Sequence, residues 1–199
     1  MIVFDGSGSM AEMGFNKIDE PRIFEARRAV AQALPDIAEH RRIGLLIYGP
    51  GGQDGCSGID LRFAPIPDAA QAVIAAVNGL EPSGETPLAE AVGAAVDVLE
   101  HSNGGGSVVL VTDGKETCQG APCQLAAQLA DTPFTIHVIG FKVRGDYFAF
   151  STESDNEYDT AETVSRCLAD RTGGHYVGAE SVDELVAAFR KTLGCPLLF

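Results

Sequence analysis

The chain has 199 residues, which suits one large domain better than two, and 45% of them are hydrophobic, enough to build a buried core. Fourteen basic against 28 acidic side chains give a net charge of −14, the wrong sign to neutralise the phosphates of nucleic acid or the headgroups of anionic lipids. We therefore expect no nucleic-acid partner and, because no apolar run approaches the roughly 18 residues of a membrane span, no direct membrane insertion by this segment.

Apolar runs of strand length alternate along the chain with segments of helical periodicity. In chain order we predict a strand at Met1–Phe4, a helix from Pro21, a strand at Ile43–Tyr48, helices near Ala69–Val77 and Pro87–Glu100, a strand at Ser107–Thr112, a helix near Cys123–Ala130, a strand at Phe134–Ile139, a helix near Ala161–Arg171, a strand at His175–Val177 and a helix at Val182–Leu193.

This alternation predicts a single α/β domain over residues 1–199. Near-continuous apolar strands joined by crossover helices are typical of a parallel sheet covered on both faces. The expected fold is an open, doubly wound, mainly parallel six-stranded sheet with helices on both faces, and Ile59–Phe63 is the candidate for a short antiparallel edge strand. Because proline lacks the N–H that a helix interior needs, we expect Pro35 to end or kink the first helix at Leu34.

Three segments place oxygen-bearing side chains at one edge of this sheet. Asp5, Ser7 and Ser9 follow the first strand, Asp113 follows a later strand, and Thr86 begins the helix before that strand. Ligands of open parallel sheets bind at the carboxyl ends of the strands. Two carboxylates and three hydroxyls suit a hard octahedral cation such as Mg²⁺ better than zinc, which prefers nitrogen and sulfur. Each residue alone also suits a helix cap or a glycine turn, so the prediction depends on the five together.

The same residues carry a family resemblance. Asp5-x-Ser7-x-Ser9, Thr86-Pro87-Leu88 and Thr112-Asp113-Gly114 resemble the metal-ion-dependent adhesion site (MIDAS) of von Willebrand factor type A (VWA) domains. The resemblance implies a Rossmann-like fold in which these two carboxylates and three hydroxyls surround Mg²⁺ or, in some members, Mn²⁺ or Ca²⁺. It also implies protein binding rather than catalysis, with the coordination completed by an Asp or Glu carboxylate of a protein ligand.

Five cysteines are more than a reduced compartment usually tolerates, and none forms a CxxC pair. Cys118 and Cys123 are the candidates for a small disulfide, and buried cysteines that act as small hydrophobes are the alternative. The motif Lys115-Glu116-Thr117-Cys118 is similar to bacterial cell-envelope members of the family. We therefore expect an exported protein, periplasmic or at the cell surface, with any signal or anchor outside this segment.

A long acidic insertion, at about residues 142–159, follows the strand at Phe134–Ile139. Two interpretations stay open: the insertion overhangs the metal edge, where its acids bind a second cation or take the open coordination position, or it is a solvated loop. Its acidic residues are Asp146, Glu153, Asp155, Glu157 and Asp159.

Two other functions remain open. One is a scaffold domain of an envelope complex, with a metal site that only stabilises the fold. The other, less favoured, is a Mg²⁺-dependent phosphohydrolase-like enzyme. Aspartyl phosphatases need a second Asp two residues after the first, where this chain has Ser7, and neither a nucleophile elbow nor a Walker loop is evident. We predict no catalytic residues and no enzyme activity.

Overall fold

The computed structural model describes residues 1–13, 20–103, 105–143 and 165–194. The strands are β1 (Ile2–Asp5), β2 (Ile43–Tyr48), β3 (Ile59–Ile66), β4 (Gly106–Thr112), β5 (Phe134–Phe141) and β6 (Tyr176–Ala179). The helices are α1 (Arg22–Ala38), α2 (Ala70–Asn78), α3 (Leu88–Asn103), α4 (Pro122–Leu129), α5 (residues 165–171) and α6 (Val182–Leu193). A short 3-10 helix, Gly8–Ala11, follows β1.

The six strands form one sheet in the order β3-β2-β1-β4-β5-β6. β3 pairs antiparallel with β2 at one edge, and every other pairing is parallel. The predicted mainly parallel six-stranded sheet is therefore confirmed, and the antiparallel edge strand β3 is one of its six strands. The chain winds outward from β1 in both directions, so the switch point of the topology lies between β1 and β4.

Helices cover both faces of the sheet, and each face has its own apolar core. Ile2 and Phe4 of β1 pack in the core that α1, α2 and α6 cover. Met1 and Val3 pack in the core that α3, α4 and α5 cover. Because successive side chains of a strand point to opposite faces, a strand buried on both sides must be apolar throughout, as the sequence pattern predicts.

One predicted helix boundary is wrong. α1 continues through Pro35 to Ala38 rather than ending at Leu34. Proline removes one hydrogen bond from the helix interior. Ile37 and Ala38 are nevertheless buried in the core with the rest of the helix, and their packing holds the last turn in helical conformation.

Two disulfides link segments that are distant in the sequence. Cys56 pairs with Cys118 and Cys123 with Cys167, with Cα–Cα distances of 5.6 and 5.5 Å. The predicted Cys118–Cys123 pairing is therefore wrong. Cys118 bonds to the loop after β2, whereas Cys123 lies in the first turn of α4 and bonds to α5. The partners are 62 and 44 residues apart, a separation that local spacing cannot reveal.

The acidic insertion lies almost entirely outside the described residues, and so do all five of its predicted acids. Its first residue, Lys142, is described and buried, and its Nζ lies 2.5 Å from the carboxylate of Glu25 on α1. Among the helices in the described ranges, none has both the length and the apolar character that crossing a membrane requires.

Candidate metal centre

The turn after β1 carries three of the five predicted site residues. Asp5 ends β1 in the middle of the sheet and is fully buried. Its Oδ1 accepts two hydrogen bonds from Ser7, one from the backbone N–H at 2.8 Å and one from Oγ at 2.6 Å. Ser9 lies in the 3-10 helix, with its Oγ 3.0 Å from Ser7 Oγ. The hydrogen bonds to the Asp5 carboxylate thus fix the conformation of the turn and place the two serine hydroxyls next to each other.

A glycine contact holds the Thr86 loop against this turn. The backbone N–H of Gly8 donates to the carbonyl of Gly84 at 3.0 Å. Gly84 has a φ of +77°, and a Cβ there would collide with the backbone of Gly49. Only glycine fits this position without strain, and the contact sets the distance between the loop and the turn.

The segment after β4 positions Thr86 at the start of α3. The backbone N–H of Thr86 donates to Thr117 Oγ1 at 2.8 Å, and its carbonyl accepts from the Thr117 N–H at 3.1 Å. The Glu116 carboxylate accepts the backbone N–H of Ala89 at 2.9 Å, which satisfies a free donor in the first turn of the helix. Thr86 is buried, and both its backbone N–H and its carbonyl are held by Thr117.

Asp113 follows β4 and lies next to Asp5 across the switch point. Its Oδ1 accepts a hydrogen bond from Ser9 Oγ at 2.6 Å. Its Oδ2 is buried, accepts no hydrogen bond and lies 3.5 Å from Arg22 Nη1. The backbone N–H of Asp113 and Oγ1 of Thr112 both approach Asp5 Oδ2, at 3.4 and 3.0 Å. Two carboxylates therefore share one small volume at the edge of the sheet.

Four of the predicted residues line one cavity of about 340 Å³. They are Ser7, Ser9, Thr86 and Asp113. Asp5, the fifth, does not line the cavity itself. It accepts a hydrogen bond from the Ser7 hydroxyl, and Ser7 does line the cavity. The structure thus brings the five residues together from three separate segments.

Burial raises the pKa of Asp113 to about 8, and the nearby charge of Asp5 contributes to the rise. The hydrogen bond from Ser9 and the guanidinium of Arg22 act in the opposite direction and lower the pKa. Two adjacent buried carboxylates carry more negative charge than the one guanidinium beside them offsets, and a cation between them would remove that cost.

The hydroxyl protons also fit a cation in the cavity. With both carboxylates ionised, the Ser7 hydroxyl donates its hydrogen bond to Asp5 and the Ser9 hydroxyl donates its hydrogen bond to Asp113. No hydroxyl proton is then left for the 3.0 Å contact between the two serine oxygens. Their lone pairs, together with the unbonded oxygen of Asp113, form an oxygen-only acceptor set, which is the chemistry that Mg²⁺ prefers.

Sequence reasoning missed the residues that support this set. Arg22, Thr112 and Thr117 contact Asp113, Asp5 and Thr86 respectively. Thr112 and Thr117 lie within or next to the sequence motifs described above. The hydrogen bonds of their hydroxyls could not be predicted, because their partners are distant in the sequence. Arg22 begins an amphipathic helix, where an arginine is usually solvated, so its burial had no local signal.

Comparisons with known proteins agree with the fold. The family model of the von Willebrand factor type A domain matches residues 1–188. The uncharacterized protein YwmD of Bacillus subtilis (strain 168) is 28% identical over 205 residues, 96% of this chain and 82% of that protein.

Two solved structures show the same fold at low sequence identity. PilB minor pilin from Streptococcus sanguinis has a TM-score of 0.66 at 15% identity, over 96% of this chain and 60% of that chain. Proximal thread matrix protein 1 from the mussel byssus, solved with a zinc-occupied MIDAS motif, has a TM-score of 0.57 at 14% identity, over 97% of this chain and 44% of that chain. With the family model matching residues 1–188, the chain belongs to the von Willebrand factor type A domain family.

Proposed function

We propose that the chain is a divalent-cation-dependent protein-binding module of the adhesion type. The cation, Mg²⁺ in the first instance, is held at the carboxyl edge of the sheet, and an Asp or Glu carboxylate of a protein ligand completes its coordination. The proposed metal ligands are Asp5, Ser7, Ser9, Thr86 and Asp113. The proposal contains no catalytic step.

The observation that carries the proposal is the buried, unbonded Oδ2 of Asp113 beside the two serine hydroxyls. A buried carboxylate oxygen that accepts no hydrogen bond is costly even with the Arg22 guanidinium 3.5 Å away. A cation would satisfy this oxygen and also suits the lone pairs of the two serine hydroxyls. Mn²⁺ and Ca²⁺ are hard cations that accept the same oxygen ligands. The mussel protein, with its zinc-occupied MIDAS motif, supports including Zn²⁺ in the titrations.

The residues of this chain have separate tasks in the proposed site. Asp5 accepts a hydrogen bond from the Ser7 hydroxyl, which leaves the lone pairs of that hydroxyl free for the cavity, and Asp113 does the same for Ser9. Thr86 is fixed through its own backbone, so its hydroxyl enters the site at little entropic cost. A cation bound there would supply positive charge for an incoming carboxylate.

The two disulfides support a location outside the cytoplasm, because such bonds persist in oxidising compartments. We propose the periplasm or the cell surface. The pilin relative of the same fold fits an adhesive task at a cell surface.

Calorimetric titration of the chelator-stripped protein with Mg²⁺, Mn²⁺ and Zn²⁺ tests the proposal. We expect one saturable site per chain, lost in Ser7→Ala and Asp113→Ala. Ser102→Ala is the matched control, because Ser102 is exposed on α3 and its hydroxyl only donates to the Val98 carbonyl. Circular dichroism would verify that each variant is folded. The absence of saturable binding in the wild-type chain would contradict the proposal.

A further inference from the structure

Arg22 is a buried cation beside the proposed metal centre. It is the first residue of α1, and its side chain is only 6% exposed. Its Nη1 lies 3.5 Å from Asp113 Oδ2 and donates to the carbonyl of Ser9 at 3.0 Å. One guanidinium therefore contacts both the turn after β1 and the residue after β4. Glu12 approaches the same nitrogen only at 3.9 Å and is 74% exposed.

The fixed charge of Arg22 changes the balance of the metal-loaded site. A divalent cation on two ionised carboxylates gives a neutral centre. Arg22 adds one positive charge directly beside that centre, 3.5 Å from Asp113 Oδ2. Among the residues that the structure describes, Glu85 and Lys115 line the cavity as well, and they are exposed and of opposite sign, so solvent and each other reduce their effect.

We propose that Arg22 makes cation binding at this site depend on the acidic ligand. This inference rests on the function proposed above. Arg22 opposes the arrival of a divalent cation when no ligand is present, and it attracts the carboxylate once the cation is bound. By linkage, the ligand then strengthens cation binding by the same factor as the cation strengthens ligand binding. The module would hold its cation firmly only when engaged with an acidic partner.

The sign of the effect does not depend on the protonation of Asp113. Cation binding adds two positive charges to the site when Asp113 starts ionised, and one when a proton leaves it. A nearby guanidinium opposes both changes. Removing its charge must therefore strengthen the binding of the cation alone.

Arg22 also has a structural contact, its hydrogen bond to the Ser9 carbonyl, which the test must separate from its charge. Arg22→Gln keeps an N–H donor but removes the charge, and Arg22→Lys keeps the charge but removes the planar guanidinium. Arg28→Gln is the matched control, because it removes the same charge from the same helix at an exposed position where the side chain pairs with Glu20.

The experiment titrates Mg²⁺ into each chelator-stripped chain by calorimetry, with sodium acetate or with sodium chloride at equal ionic strength. Acetate is the carboxylate probe. We expect acetate to tighten Mg²⁺ binding to the wild type about threefold or more, and Arg22→Gln to bind Mg²⁺ alone about tenfold more tightly than the wild type with a smaller gain from acetate. Arg22→Lys and Arg28→Gln should behave as the wild type.

The outcomes distinguish the role of Arg22 from the proposed function of the site. Mg²⁺ binding that is lost in Asp113→Ala but equal in wild type and Arg22→Gln would overturn the role of Arg22 and leave the proposed function standing. A wild-type chain that binds no Mg²⁺ would overturn both. If Arg22→Gln does not fold, Arg22→Met, which keeps a long unbranched side chain without the charge, takes its place. A Mg²⁺ affinity of that variant equal to the wild-type affinity would overturn the role of Arg22.

Discussion

Asp113 dominates the chemistry of the candidate site at the scale of single residues. Its carboxyl is buried beside Asp5, and burial raises its pKa from 3.8 to about 8. The folded, metal-free protein therefore binds more protons than the unfolded chain between about pH 4 and pH 8. Stability that this group contributes at low pH is lost as the pH rises through 8. A cation must displace the same proton, so its affinity should rise with pH over the same range.

We predict that Asp113→Asn removes this pH dependence. In a chelating buffer, the Tm of the wild type should fall relative to that of the variant as the pH rises from about 5 to about 8, because over this range the Asp113 carboxyl is ionised in the unfolded chain but stays protonated in the folded one. Thermal unfolding monitored by circular dichroism measures the difference. Asp36→Asn is the control, since Asp36 is an exposed carboxylate paired with Arg190. Parallel Tm curves for wild type and Asp113→Asn would refute the prediction.

The five site residues could be chosen from the sequence because each stands directly after a strand or at a helix start, where the topology decides its neighbours. Arg22 could not be chosen in this way. Its burial depends on where α1 begins relative to Asp113, and that distance is set by the packing of the whole helix on the sheet.

At the scale of secondary-structure elements, the disulfide between Cys56 and Cys118 connects two loops next to the cavity. The loop of Cys56 is bonded to the site loop, because the carbonyl of Gly55 accepts the backbone N–H of Glu85 at 2.9 Å. Cys118 is adjacent to Thr117, which holds Thr86. The other disulfide joins the first turn of α4 to α5.

We predict that the two disulfides differ in their effect on the site. Replacing either pair by serine should cost about 4 kcal/mol in free energy of unfolding, because the closed loops are of similar length. Only Cys56→Ser with Cys118→Ser should also weaken Mg²⁺ binding, since it releases the loops that fix Thr86. The Cys123 and Cys167 pair is the internal control. Denaturant unfolding and calorimetry give both quantities, and equal losses of Mg²⁺ affinity in the two double variants would speak against this assignment.

Element types were predictable because the apolar period distinguishes strands from helices, and α6 has the predicted bounds. Boundaries moved where tertiary packing decides them. β5 extends beyond Ile139 to Phe141, which is fully buried, and β3 continues to Ile66 because it pairs with the full length of β2. The disulfide partners were unpredictable for the same reason, since they meet only after the sheet has formed.

The topology of the whole molecule creates the site. β1 and β4 are neighbours in the sheet although more than one hundred residues separate their pairing partners, such as Val3 and Leu110. Helices leave these two strands toward opposite faces, which opens a crevice at their carboxyl ends. Asp5 and Asp113 stand at that crevice, so the fold itself brings the two carboxylates together, and a chain of net charge −14 adds to the attraction for cations.

The most direct test is a crystal structure of the protein grown with Mn²⁺, with an anomalous difference map collected at the manganese edge. We predict one strong peak in the cavity, in contact with oxygens of Ser7, Ser9 and Asp113. A map that shows no peak there at saturating Mn²⁺, or shows the ion bound at another place on the molecule, would contradict the central claim that this edge of the sheet is a metal centre.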